Sequence, residues 1–142
     1  TSKEILDFLS KSPTAFHAVE NYRQILNADG FKELLESEHW DIVPGGKYYV
    51  TRNNTSILAF KVGTKLDNYS FNIVTSHTDS PTFKVKENAE IEVKNKYTQL
   101  NTEGYGGMLC ATWLDRPLSI AGRVLVSEGN SIVTKLLNID RD

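Results

Sequence analysis

Two side chains with chemistry to offer stand two residues apart in FNIVTSHTDSPTFKVK, residues 71–86: the imidazole of His77 and the carboxylate of Asp79. A neutral imidazole can bind a divalent metal, and a neighbouring carboxylate can orient the ring or the metal without bonding it. On extended backbone this spacing sends both side chains to the same side, because the side-chain period of a strand is two. Pro81 stiffens the exit and removes a backbone donor where the chain turns. The spacing alone leaves a second reading open, a turn histidine hydrogen-bonded to Asp79. Ser76, His77 and Asp79 make a poor nucleophilic triad, since neighbours on one strand cannot converge on a single reacting atom.

The other reactive side chains read as structural. Cys110, flanked as MLCATWL, is expected to be a small apolar strand residue. His17 falls in the first turn of a predicted helix, where a packing role is favoured, and His39 lies in an acidic stretch and is expected to face solvent. The loop Glu103-Gly104-Tyr105-Gly106-Gly107 lacks the lysine of a phosphate-binding loop and does not open a helix. Asp115-Arg116 reads as an ion pair in a turn.

The elements that must position these groups can be read along the chain. Thr1 and Glu4 have capping-box spacing ahead of Ile5, Leu6, Phe8 and Leu9, which predicts a first helix. Ser12-Pro13 interrupts it. A second helix is expected over about 14–29, carrying Ala18, Tyr22, Ile25 and Leu26 near one face and stopping at Gly30. The segment FKELLESEHW fits either a short strand or a helical turn. Pro44-Gly45-Gly46 is a turn, and KYYVTR, Asn53-Asn54 and TSILAFKVG form a hairpin signal, because Asn tolerates positive φ and the flanks are β-branched and aromatic. The run 71–76 is apolar on both faces, which predicts a central strand ending at His77. Ile91 and Val93 mark another strand, and residues 109–126 read as strands broken at 115–117 and at Gly122.

With 142 residues, 39% hydrophobic and 24% charged, the composition is that of a soluble globular domain able to bury a core. The formal net charge of -2 gives no basic surplus for nucleic acid. No apolar run approaches the length needed to cross a bilayer, and the N-terminal stretch has no signal-like apolar region, so no membrane association is expected. One cysteine makes no internal disulfide, which suits a reducing cytoplasm. The absence of an initial Met and the late apolar run Ile132, Val133, Leu136, Leu137 and Ile139 lead to the expectation that this is a piece of a longer protein.

Taken in order, SPTAFHAVE, PGGKYYVTRNNTSILAFKVG, VTSHTDSPTFKVK, EGYGGMLCATWLDRPLSIAGRVLV and LLNID resemble the N-terminal part of the aspartyl aminopeptidase family, dinuclear-zinc exopeptidases, over essentially the whole chain. The resemblance implies an α/β fold, a mixed sheet flanked by helices as in zinc exopeptidases. It places the start of the catalytic domain in residues 1–95 and the start of an inserted β-rich dimerisation domain in 96–142. It implies two Zn2+ per active site in the full-length protein, peptide substrates with acidic N-terminal residues among them, and a homo-oligomer. By the same resemblance His77 matches the first zinc ligand and Asp79 the catalytic carboxylate that steadies it. Asp115 belongs to WLDRPL and is not the bridging aspartate. The general-base glutamate and the other ligands are expected outside this sequence, leaving the fragment inactive. The competing reading is a non-catalytic α/β binding or interaction module.

Overall fold

The computed structural model describes residues 1–68 and 70–139. By their contacts they form two compact units, one made of Thr1–Thr78 together with the chain from Ser119 onward, the other of Asp79–Leu118.

The first unit opens with α1 (Ser2–Ser10) and α2 (Ala15–Ala28). Thr1 and Glu4 form the capping box that the spacing predicts, with the Thr1 backbone nitrogen donating to the Glu4 carboxylate, and the Thr1 hydroxyl donates to the same carboxylate at 3.0 Å. At the head of α2 the Thr14 hydroxyl accepts from the His17 amide. Its end is a Schellman motif: Gly30 takes φ 79°, its amide donates to the Asn27 carbonyl at 3.1 Å, and the Phe31 amide reaches the Leu26 carbonyl at 2.9 Å. Phe8 and Tyr22 join the two helices, ring centroids 4.7 Å apart, and the Asn21 amide donates to the Lys11 carbonyl at the corner. The rest of the α1 apolar face, Ile5, Leu6 and Leu9, is exposed.

The ambiguous segment after Gly30 resolves as a two-residue strand, β1 (Lys32–Glu33), parallel to β2 (Lys47–Arg52), which pairs antiparallel with β3 (Ser56–Lys61). This is a small mixed sheet. The β2–β3 connection holds Asn53 and Asn54 at φ 52° and 54°, the left-handed region that the Asn-Asn step was expected to fill. Tyr48 and Tyr49 are both buried, on opposite faces of β2. On one side the Tyr49 hydroxyl donates to Asn27 of α2 at 3.0 Å. On the other, Tyr48 packs on Phe60 with centroids 5.6 Å apart, and its hydroxyl accepts from the Val43 amide at 3.1 Å. Gly46 has to be glycine, because a Cβ there would lie 2.5 Å from the Tyr48 ring. Val19 and Ala18 complete this core from α2.

The same unit contains the hairpin of β6 (Ile120–Glu128) and β7 (Ser131–Ile139). Gly122 does not break a strand: it pairs with Leu137 in the middle of the ladder, where an extended backbone has no need of a turn. Arg123 stacks its guanidinium 4.3 Å from the Phe16 ring centroid and donates to the Asn53 carbonyl at 3.2 Å.

The second unit is built on a long hairpin, β4 (Thr82–Val93) and β5 (Tyr97–Tyr105), with a register shift between Val85 and Glu90. Lys94 and Asn95 turn it with φ 49° and 54°, and the Asn101 side chain donates to the Asn88 carbonyl at 3.1 Å within the bulged stretch. Cys110 is not a strand residue. It is exposed and N-caps a single helical turn, α3 (Ala111–Leu114), accepting the Trp113 amide at 2.9 Å. Trp113 of that turn meets Phe83 of β4 edge-on at 5.7 Å. Arg116 and Asp115 form the expected adjacent ion pair at 2.9 Å.

Candidate functional site

The route to His77 departs from the sequence expectation. Residues 71–76 carry an apolar run suited to a central strand, yet they form no strand and pair with none among the described residues. Phe71 is 79% exposed and Val74 99% exposed. A strand exists only as part of a ladder, and its backbone groups need a neighbour on at least one side. Composition selects for burial but does not supply the partner.

His77 follows this stretch and is exposed. At the next residue the Thr78 hydroxyl donates to the Thr55 carbonyl at 2.7 Å, which ties Thr78 to the left-handed turn between β2 and β3. Thr78 also sits at a bend, so the period-two alternation expected to align His77 with Asp79 does not run through the motif.

Asp79 opens the second unit and accepts a hydrogen bond from the Tyr105 hydroxyl at 2.6 Å. That is short, as expected for a neutral donor on an ionised acceptor. The bond to the carboxylate, and then its charge, hold the Tyr105 phenol above its ordinary pKa, so the phenol keeps its proton and remains a donor at neutral pH. Sequence reasoning passed over both Thr78 and Tyr105. The one available signal for Tyr105 was its place in EGYGG, an aromatic flanked by glycines where a hairpin ends.

The remaining candidates behave as structural residues. Nδ1 of His17 lies 2.7 Å from the Thr14 hydroxyl, and partial burial pushes its pKa down. His39 is 92% exposed beside Asp41.

As a zinc site, the chemistry of this segment fits in kind. An imidazole is a usual zinc donor, and a hydrogen-bonded carboxylate close by in sequence is the usual support. The count does not fit: no group of three His, Cys, Asp or Glu side chains able to hold a metal occurs among the described residues, where zinc takes about four ligands. The described residues do not make a zinc site by themselves.

An α/β chain with helices beside a mixed sheet and a His-x-Asp segment does not by itself define a class. Comparison with known proteins makes the class definite: residues 8–142 match the family model of the aminopeptidase I zinc metalloproteases, M18, and the chain belongs to that family. It is 49% identical to a probable M18 family aminopeptidase 2 of Clostridium novyi, over 99% of this chain and 33% of the relative. It is 45% identical to an aspartyl aminopeptidase of Dictyostelium discoideum, over 99% of this chain and 29% of that one. Among solved structures it superposes on a chain of the Ape4 and Nbr1 complex with a TM-score of 0.92 at 42% identity, covering 97% of this chain and 27% of the other. It also superposes on the S. cerevisiae mApe1 dodecamer with a TM-score of 0.82 at 33% identity, covering 96% and 32%. The chain thus spans about a third of the length of the curated relatives it matches.

Proposed function

We propose that the protein carrying this chain is a zinc-dependent aminopeptidase that removes N-terminal residues from peptides, with acidic N-terminal residues the first class to test. The observation that carries this reading is the family match over residues 8–142, with His77 and Asp79 inside it. His77 supplies one metal donor. Asp79 is the carboxylate that supports it, and it accepts the hydrogen bond from Tyr105. Zinc, two ions per site on this reading, would polarise the scissile carbonyl and lower the pKa of a bound water. The remaining ligands and the proton-accepting glutamate lie in the part of the protein beyond this chain, so the chain alone is inactive.

On the same reading residues 1–95 begin the catalytic domain and 96–142 the inserted dimerisation domain. The full-length protein is a homo-oligomer, in keeping with the dodecamer of the S. cerevisiae relative. A cytoplasmic location accords with the single cysteine, and no helix among the described residues is long and apolar enough to cross a membrane.

Assaying full-length protein and isolated chain side by side on acidic and neutral aminoacyl reporters, with and without chelator, tests the proposal. Chelator-sensitive release by the full-length protein, and none by the chain, is expected. Release by neither would overturn the peptidase reading, and metal-dependent release by the chain would overturn the division of the site.

A further inference from the structure

The EGYGG stretch has a place in the structure that its sequence does not announce. Tyr105 ends β5 and pairs with Thr82, the first residue of β4, so the open end of the hairpin faces the three residues that lead into it. Asp79 is the first of those three. The phenol donates to one carboxylate oxygen, Oδ2, at 2.6 Å. The turn just after Tyr105 lies beside the same short segment. Gly106 takes φ 73°, and the position of its absent Cβ lies 3.6 Å from Pro81. It is the left-handed backbone that calls for glycine here, since a Cβ at 3.6 Å would make only ordinary contact with Pro81. Tyr105-Gly106 therefore flanks the Asp79-Ser80-Pro81 segment, with a directed hydrogen bond to Asp79 and with Gly106 lying beside Pro81.

We infer that Tyr105 is a positioning residue for Asp79. A carboxylate on a single rotatable stem has several settings, and a strong bond to one of its two oxygens selects one and aims the other oxygen away from the phenol. Tyr105 acts on the reaction through Asp79 and touches no substrate. The inference rests on the reading of Asp79 as the supporting carboxylate, and its test separates the two.

The test uses the full-length protein with Tyr105→Phe, Asp79→Ala and the double variant. kcat and KM are measured on an aminoacyl reporter per folded, metal-loaded molecule, zinc affinity by competition with a chelator, and the thermal midpoint on the same preparation. Partners that orient a metal-site group typically matter by about 10- to 100-fold. Tyr105→Phe removes one oxygen, and is expected to lower kcat and zinc affinity by about 10-fold with KM little changed and the thermal midpoint close to that of the parent. In the Asp79→Ala background the same change is expected to have no further effect on zinc affinity, since the group it orients is gone. Impaired Asp79→Ala with unimpaired Tyr105→Phe overturns the inference alone. So does a double variant whose zinc affinity shows the two losses multiplied, or a Tyr105→Phe whose only defect is its thermal midpoint. Wild-type kcat and zinc affinity in Asp79→Ala would remove the reading of Asp79, and the inference with it.

Discussion

Within the first unit, two apolar segments have opposite fates. The run KYYV of β2 is enclosed on both faces, with Tyr49 1% exposed between α2 and the sheet, whereas 71–76 lies open. Both segments are apolar and aromatic enough for a central strand. The difference lies in their neighbours: β2 has β1 on one side, β3 on the other, α2 over one face and Val43 and Phe60 over the other. The segment 71–76 has no strand partner among the described residues. Burial is thus a property of what is brought alongside.

The largest expected effect breaks the comparison at its functional end. His77→Ala in the full-length protein should lower metal content and peptide hydrolysis together, by more than the about 10- to 100-fold typical of residues that only support a ligand. His39→Ala, on a side chain surrounded by solvent, should change neither. Elemental analysis and turnover on the same samples check this, and a metal-replete, active His77→Ala protein would refute the role assigned to His77.

Next in size is the enclosed strand. Tyr49→Ala removes a buried ring and leaves Asn27 without its hydroxyl donor, so chemical denaturation of the chain should show a loss of about 3–5 kcal/mol, the range for large aromatic truncations in cores. A loss below about 1 kcal/mol would mean that β2 is not the centre of this unit.

The open segment sharpens the contrast. In the isolated chain Val74→Ala should stay within about 0.5 kcal/mol, since Val74 is almost wholly in water. In the full-length protein the same change should cost about 1–2 kcal/mol, at about 0.8 kcal/mol per buried methylene, if the rest of the protein covers the segment. Equal small effects in both would show that 71–76 stays uncovered.

The smallest effect concerns His17. Burial lowers its folded pKa below the unfolded value, so the unfolded state binds the proton more readily. Its contribution is absent above the unfolded pKa of about 6.5 and turns destabilising as pH falls through that value towards the lower folded one. His17→Gln should flatten a slight decline in stability on the acid side of that value, measured by denaturation at a series of pH values. An unchanged slope would place His17 in solvent.

The sequence by itself determined those features that are set within a few residues. The capping of α1 by Thr1 and Glu4, the stop at Gly30, the Asn53-Asn54 turn and the Asp115–Arg116 pair each depend on local sterics or adjacent charges, and each is in place. The family was legible too, because its motifs stand in order along nearly the whole chain. Tertiary structure decided the rest. Whether an apolar run becomes a strand depends on a partner distant in sequence, which is why 71–76 stands open while Gly122 runs through the β6–β7 ladder. Cys110 heads a helical turn in which Trp113 meets Phe83, a packing choice that MLCATWL does not reveal. The bond from Tyr105 to Asp79 spans 26 residues and exists because the β4–β5 register returns the end of one strand to the start of the other. No periodicity encodes that pairing, since it is the hairpin's closure that places the phenol on the carboxylate.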